Sequence, residues 1–234
     1  MSVAGVGVST PLIQSESRGS SPTAALQLIL VKPIPFVAAK IVLEKHHYLH
    51  SLPGGTKLAF GVFLENRLLG AITFGSGPAN AYRMVEGAKP SDCLTLSRLW
   101  LSDELPSNSE SRVLGVALRA LKRFTRIRFI VSYADPSHGH LGTIYQATGW
   151  IYTGLSEGMP LFDIGDGKPR HSRSLSHSFG SHSMKHFENF GVRVRVVAQS
   201  RKHRYFYFLD SKLQPKLKVI PKPYPKKEVT NENS

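Results

Sequence analysis

CLTLSRLWLSDELPSNSESRVLGVALRALKRFTRIRFIVSYADP, residues 93–136, holds two apolar runs of different length around a segment of helical period. Residues 93–101 (CLTLSRLWL) are short, apolar and rich in β-prone types, the pattern of a strand. In the following stretch Val113, Leu114, Ala117, Leu118 and Leu121 recur on one stripe, which predicts a strong amphipathic helix. RFIVSYADP then reads as a buried strand stopped by Pro136. A strand, a long helix and a second buried strand imply a parallel pair joined by a right-handed crossover.

Outward from this unit the elements alternate. LQLILVKP (26–33) is a short apolar strand, and PFVAAKIVLEKHHYLH (35–50) carries Phe36, Ala39, Val42 and Leu43 at helical spacing. LPGG stops that helix. KLAFGVFLENRLLGAITFG supplies two strands joined tightly at Glu65-Asn66-Arg67, an antiparallel hairpin. On the other side, HLGTIYQATG is a short helix ended by Gly149, and WIYTGLS is a strand. GVRVRVVAQ (191–199) and HRYFYFL (203–209) are also strand-like. The expected fold class is α+β, a mixed sheet with flanking helices and a strand-rich, basic C-terminal extension.

The ends differ from the middle. Residues 1–24 are Ser-, Gly-, Thr- and Pro-rich and read as a flexible arm. Residues 25–210 read as one domain with a basic loop at 166–187, and residues 211–234 as an extended Pro- and Lys-rich tail. Across the 234 residues, 30 Lys and Arg stand against 16 Asp and Glu, a net charge of +14. That excess points to a polyanionic partner, nucleic acid ahead of an anionic membrane surface. A single cysteine, Cys93, excludes an internal disulfide and a Cys-based zinc cluster. With no apolar run near the ~20 residues of a spanning helix and no signal-like start, the expectation is a soluble, cytoplasmic protein.

Chemistry-bearing side chains crowd into YADPSHGHLGTIYQATGWIYTG, residues 133–154. Asp135 stands at the carboxyl end of a strand, where crevices open, and reads as general base, metal ligand or turn-capping carboxylate. His46, His47, Tyr48 and His50 close the first helix, with His46 and His50 spaced to share one helical face. Two histidines and one carboxylate would suit a non-haem iron, with His47, Asp135 and either His138 or His140 as candidates. Arg98 interrupts an apolar strand and needs a partner, either a substrate phosphate or Asp135. Ser97 and Arg98, as strand neighbours, are expected to face opposite sides. Ser107, Asn108 and Ser109 can cap the long helix, whose first turn offers N–H groups to an anion. Arg170 and Arg173, in the basic loop, and Arg201, Lys202 and Arg204, in SRKHRYFYF, are candidates for phosphate contacts. Phe206 and Phe208 read as members of a buried edge strand.

The order of elements resembles the GCN5-related N-acetyltransferase fold. In that family the helix after the fourth strand binds the pyrophosphate of coenzyme A, and a later YxxxGF-like pattern supplies a Tyr that protonates the leaving thiolate. Tyr145-Gln-Ala-Thr-Gly149-Trp150 lies where that pattern belongs. The phosphate turn departs from the family, with Asn108-Ser-Glu-Ser-Arg-Val-Leu-Gly115 in place of its Gly-rich motif. A narrower resemblance rests on HHYLHSLPGG (46–55), LTLSRLWL (94–101), residues 133–154 and RKHRYFYFL (201–209): together these are similar to the Mom family of phage DNA-modification proteins. That resemblance implies conversion of adenine in double-stranded DNA to its N6-carbamoylmethyl form, which shields phage DNA from host restriction. It places His47 and Tyr48 in the site beside Asp135 and Tyr145, with iron as a suspected participant. An activated donor, acetyl-coenzyme A or a glycine unit such as glycyl-tRNA, is expected near Ser109, Ser111 and Arg112. A coenzyme A-dependent N-acetyltransferase and a non-enzymatic basic DNA-binding protein are the rival readings, and monomer or dimer is left open.

Overall fold

The computed structural model describes residues 28–158, 160–167, 169–171, 175, 180, 184–189, 191, 193–198 and 201–226. The expected N-terminal arm, the last eight residues and Arg173 lie outside them. Seven strands form one sheet: β1 (Leu30–Pro33), β2 (Thr56–Leu64), β3 (Arg67–Gly75), β4 (Cys93–Leu101), β5 (Phe129–Ala134), β6 (Ile151–Leu155) and β10 (His203–Phe208), in the spatial order β1-β2-β3-β4-β5-β10-β6. Three short strands, β7 (Pro160–Asp163), β8 (Arg170–His171) and β9 (Arg195–Ala198), form a second sheet ordered β8-β7-β9. The helices are α1 (Phe36–His46), α2 (Ser109–Phe124), α3 (Thr143–Ala147) and α4 (Met184–Glu188). This is the mixed α+β class expected from the sequence.

β2 and β3 pair antiparallel across a two-residue turn in which Glu65 and Asn66 both take positive φ, 50° and 62°. Turns of that hand match the twist of the flanking strands. β4 and β5 are parallel, with Cys93 opposite Phe129 and Leu96 opposite Ser132, and α2 makes the crossover. All five residues of its predicted stripe are at most 2% exposed. They pack on Leu94, Leu96, Ile130 and Tyr205 in the main core cluster. The first helix is shorter than the periodicity suggested. It ends at His46, so His46 and His50 do not share a helical face, and His50 sits at φ 42°. Ala39 and Leu43 are buried against Ala59 and Ala71, whereas Phe36 turns outward.

Two further differences involve the end of the chain. β10 is not an edge strand: it inserts antiparallel between β5 and β6, pairing Phe206 with Val131 on one side and Ile151 on the other. Phe206 is accordingly fully buried, and Phe208 partly so. The stretch read as an extended tail is bonded to the sheet as far as Tyr224. Residues Ser211–Lys216 form a 3-10 helix whose Leu213 joins Phe129, Val131 and Phe206 in a second core cluster. Lys222 N–H donates to Tyr152 O at 2.8 Å, and the Tyr224 hydroxyl donates to Trp150 O at 2.7 Å.

Gly142, which starts α3, is at φ 75°, and a Cβ there would meet the Tyr205 ring at 2.5 Å and the Tyr145 ring at 2.9 Å. Gly142→Ala should therefore combine backbone strain with a ring clash, costing roughly 1–3 kcal/mol. At about 2–4 °C per kcal/mol for a chain of this size, calorimetry should show a clear fall in Tm. An unchanged Tm would mean that the Tyr205 ring has room to move aside.

Candidate active site

Beyond Leu96 and Ser132 the parallel strands stop bonding to each other, although β4 runs on to Leu101 and β5 to Ala134. A cavity of about 510 Å³ fills the gap, walled by Leu96, Ser97, Arg98 and Leu99 on one side and Tyr133, Ala134 and Asp135 on the other. His47 and Tyr48 reach it from the turn after α1, and Tyr145 from α3. The four residues expected to carry chemistry, His47, Tyr48, Asp135 and Tyr145, are thus brought to one cavity from positions about a hundred residues apart in the chain.

Ser97 and Arg98 both line this cavity, contrary to the strand alternation expected for them. The reason is a bulge. Leu96 pairs with Phe74 and Arg98 with Thr73, leaving Ser97 as an extra residue in β4. Bulges re-aim side chains in this way, often beside functional sites. Arg98 does not pair with Asp135. Its Nε and Nη2 donate to Ser51 O (3.3 Å) and Ser51 Oγ (3.4 Å), and its Nη1 to Ser97 O (2.7 Å).

Asp135 is 8% exposed and bound on both oxygens. Oδ1 accepts from the Ser137 N–H (3.0 Å) and the Ser137 hydroxyl (2.6 Å), and Oδ2 meets Lys202 Nζ at 3.0 Å. Burial raises the carboxyl pKa, but the Ser137 hydroxyl, Lys202 and the Ser137 N–H outweigh it and hold the group at about 2. Asp135 is therefore a fixed anion at neutral pH, and it keeps a turn-capping role as well. The Asp-Pro-Ser sequence carries that signal, since a carboxylate commonly accepts from the N–H two residues on.

His47 is 5% exposed. Burial first, then the neighbouring Arg98, His140 and His50, lowers its pKa to about 4, so the ring is neutral at pH 7. Its ring stacks on Tyr48 at 4.4 Å between centroids, and Tyr48 in turn contacts the rings of His138 (4.6 Å) and His140 (5.2 Å). Tyr48, 43% exposed, makes an aromatic rim at the cavity mouth. The Tyr145 hydroxyl accepts from Ser132 Oγ at 2.8 Å, and burial pushes its pKa up to about 12. That phenol stays protonated and can act only as a donor of its proton.

The helix end expected to take the donor is only partly as foreseen. Asn108, Glu110 and Ser111 line the cavity, whereas Ser109 and Arg112 do not. Ser109 is buried and donates to Pro106 O, and Asn108 at φ 67° makes no side-chain cap. Arg201, Lys202 and Arg204 do not line the cavity either. Lys202 is occupied by Asp135, Arg201 donates to Ser156 O (2.7 Å), and Arg204 donates to Thr153 Oγ1 (2.9 Å). The backbone of Arg170 pairs with Phe162 in the second sheet.

The iron expectation is not met by the side chains present. Among the described residues no group of three His, Cys, Asp or Glu is placed to hold a metal ion. Asp135 has committed both oxygens, and His47 Nδ1 accepts the Leu49 N–H. Cys93 is no nucleophile for the site, since burial, with Asp92 nearby, pushes its thiol up to about 12. No helix among the described residues is long and apolar enough to cross a membrane.

The profile of the Mom protein family matches residues 28–226, which span the cavity and the whole seven-stranded sheet. The chain belongs to the Mom protein family. It is 27% identical over 208 residues to the methylcarbamoylase Mom of Escherichia phage Mu, covering 84% of this chain and 83% of that one. Among solved structures it is similar to the GNAT family N-acetyltransferase YhbS of Escherichia coli in complex with CoA, at 13% identity and a TM-score of 0.45, over 82% of this chain and 87% of that chain. It is also similar to the spermidine/spermine N-acetyltransferase SpeG of Vibrio cholerae, at 7% identity and a TM-score of 0.46, over 82% and 99% of the two chains.

Lys202 and Ser137 were not singled out from sequence as partners of Asp135, and their hold on it has a measurable sign. The carboxyl pKa is lower in the folded chain than its ordinary 3.8. It therefore contributes stability above about pH 4 that is lost as pH falls through about 2. In Lys202→Met, carbon-detected NMR titration should find the Asp135 pKa raised, and the acid-unfolding midpoint should move to higher pH. An unshifted carboxyl would show that Ser137 alone sets it.

Proposed function

We propose that this chain is a DNA-modifying transferase that converts adenine in double-stranded DNA to N6-carbamoyl-methyladenine, protecting phage DNA from host restriction. The observation that carries this reading is the convergence of His47, Tyr48, Asp135 and Tyr145 on one cavity in a chain of the Mom family, 27% identical to a methylcarbamoylase. The cavity's 510 Å³ falls within the ~300–1,000 Å³ of small-molecule sites.

The chemistry explains why such a site needs these parts. Adenine N6 is a weak nucleophile because its lone pair is delocalised into the ring. It is also out of reach of an enclosed site while the base is stacked in the duplex. The base must be flipped out, at a few kcal/mol of lost stacking and pairing. Tyr48, exposed at the rim with His138 and His140 against it, offers an aromatic surface on which an extruded base can stack. The ionised Asp135 supplies a fixed negative charge to accept a hydrogen bond from the N6 amino group or to take its proton. Tyr145, held protonated, donates to a leaving group on the donor. The donor, acetyl-coenzyme A or a glycine-derived unit, is held toward the Asn108–Ser111 end of the cavity. Arg201, exposed on the segment that leads into β10, and the basic residues of the 166–187 loop grip backbone phosphates of the duplex.

Plasmid DNA from cells expressing the chain, digested to nucleosides and analysed by mass spectrometry, should contain a deoxyadenosine heavier by a carbamoylmethyl group. Tyr48→Phe and Asp135→Asn should lower its yield by ~10²-fold or more, with Tyr48→Phe melting as the wild type does. An acetyl increment would keep the transferase and replace the reaction. Unmodified nucleosides alongside well-folded protein would sink the proposal. Feeding labelled glycine or labelled acetate then assigns the donor: the carbon label enters the modified base from only one of them.

A further inference from the structure

His47 and Arg98 meet at the β4 wall of the cavity, and each has an unusual hydrogen-bonding position. The backbone N–H of Leu49 donates to His47 Nδ1 at 3.1 Å. An amide N–H can only donate, so Nδ1 must carry a lone pair. Because the ring is neutral, its one proton sits on Nε2. The Nδ1 edge is closed against its own turn, one ring face is covered by Tyr48, and His47 still lines the cavity. Its free polar group is an N–H, not a base.

Arg98 is a half-buried cation whose hydrogen bonds all go to neutral oxygens, those of Ser51 and Ser97. No carboxylate pairs with it among the described residues. Asp135, across the cavity, is already bound by Lys202 and Ser137. Three N–H groups are used of the five a guanidinium carries. Burial lowers its pKa, the mark of a charge the protein itself leaves uncompensated. A cation kept half-buried without a counter-ion costs stability unless a ligand supplies the charge.

We infer that Arg98 and the Nε2–H of His47 form a seat for an anionic oxygen, a carboxylate or phosphate, of the group-transfer donor. This rests on the reading of the cavity as the reaction site, and it gives His47 the role of a fixed hydrogen-bond donor instead of a general base. It also moves Arg98 from the DNA to the donor. A rigid donor and a cation aimed at the same oxygen stabilise charge there without rearrangement, which is how oxyanion sites act. Using His47 as a base would require the other tautomer and would break the Leu49 bond.

The test uses the full chain with ¹⁵N-labelled histidine. Long-range ¹H–¹⁵N spectra at pH 7 should show His47 protonated on Nε2 alone. Titration with sodium acetate and, separately, inorganic phosphate should shift the Nε2 resonance saturably with at least one of them. Response to acetate assigns a carboxylate, and response to phosphate and coenzyme A without acetate assigns a phosphate. In Arg98→Gln the affinity should fall by at least about tenfold, the scale of a lost charge-assisted hydrogen bond, with an unchanged circular-dichroism melt. His47→Gln, which can place an N–H near the Nε2 position, should yield at least about ten times the modified adenine of His47→Asn, which cannot. A proton on Nδ1, no response to any of the anions, or equal binding by Arg98→Gln would overturn the seat. Those spectra need no DNA, so they fail or succeed independently of the nucleoside analysis.

Discussion

The parting of β4 and β5 is the constraint on which the rest of the structure depends. Up to Leu96 and Ser132 the two strands satisfy each other's backbone groups, and beyond that point they cannot. Each is then supported from its far side, β4 by β3 and β5 by β10. The edges that face the gap are held open by neighbours that are themselves well bonded. Backbone polar groups are rarely left without partners, so a gap of this kind persists only with such support. The cavity is therefore a product of sheet topology, and its side chains are placed by rigid strands and by two turns that close over it.

β10 does two things at once. Inserted between β5 and β6, it completes the sheet and carries Tyr205 into the main core, where its hydroxyl donates to Leu141 O and steadies the loop into α3. The residue just before it, Lys202, reaches Asp135. A basic segment that looks from its composition like a phosphate contact is thus, in part, an electrostatic brace of the site. The opposite face of the same strand buries Phe206 with Leu213 of the following 3-10 helix, which ties the last described stretch to the fold.

Charge is distributed across the cavity with some economy. Asp135 is neutralised by Lys202 and Ser137, His47 is kept uncharged by burial and by Arg98, and Tyr145 is kept protonated by burial. Arg98 is left as the cation without a protein counter-charge on that wall. Each state follows from what lies against the group, since burial disfavours charge and a bonded partner restores it. A site whose groups are mutually biased in this way is set for a particular charge distribution in whatever enters it.

The sequence by itself determined the local elements and the α+β class. The stripe from Val113 to Leu121, the two-residue turn at Glu65-Asn66 and the apolar runs at 93–101 and 129–134 are short-range patterns of period and turn chemistry, and the structure follows them. It also brought His47, Tyr48, Asp135 and Tyr145 forward, because their types crowd near element ends and match a family pattern. Other features only the tertiary structure decided. Ser97 and Arg98 share a wall because of a bulge that exists only in register with β3, and no local pattern encodes register. β10 became an interior strand because β5 and β6 both needed a partner, and a run of aromatic residues reads the same at an edge or in the middle. Ser109 and Arg112 look equivalent to Ser111 in sequence, yet the rotation of α2 on the sheet turns only Ser111 to the cavity. Asp135 and Lys202 are separated by more than sixty residues, and their contact depends on strand order. Long-range pairing and charge compensation are properties of the folded sheet, which is why they appear only there.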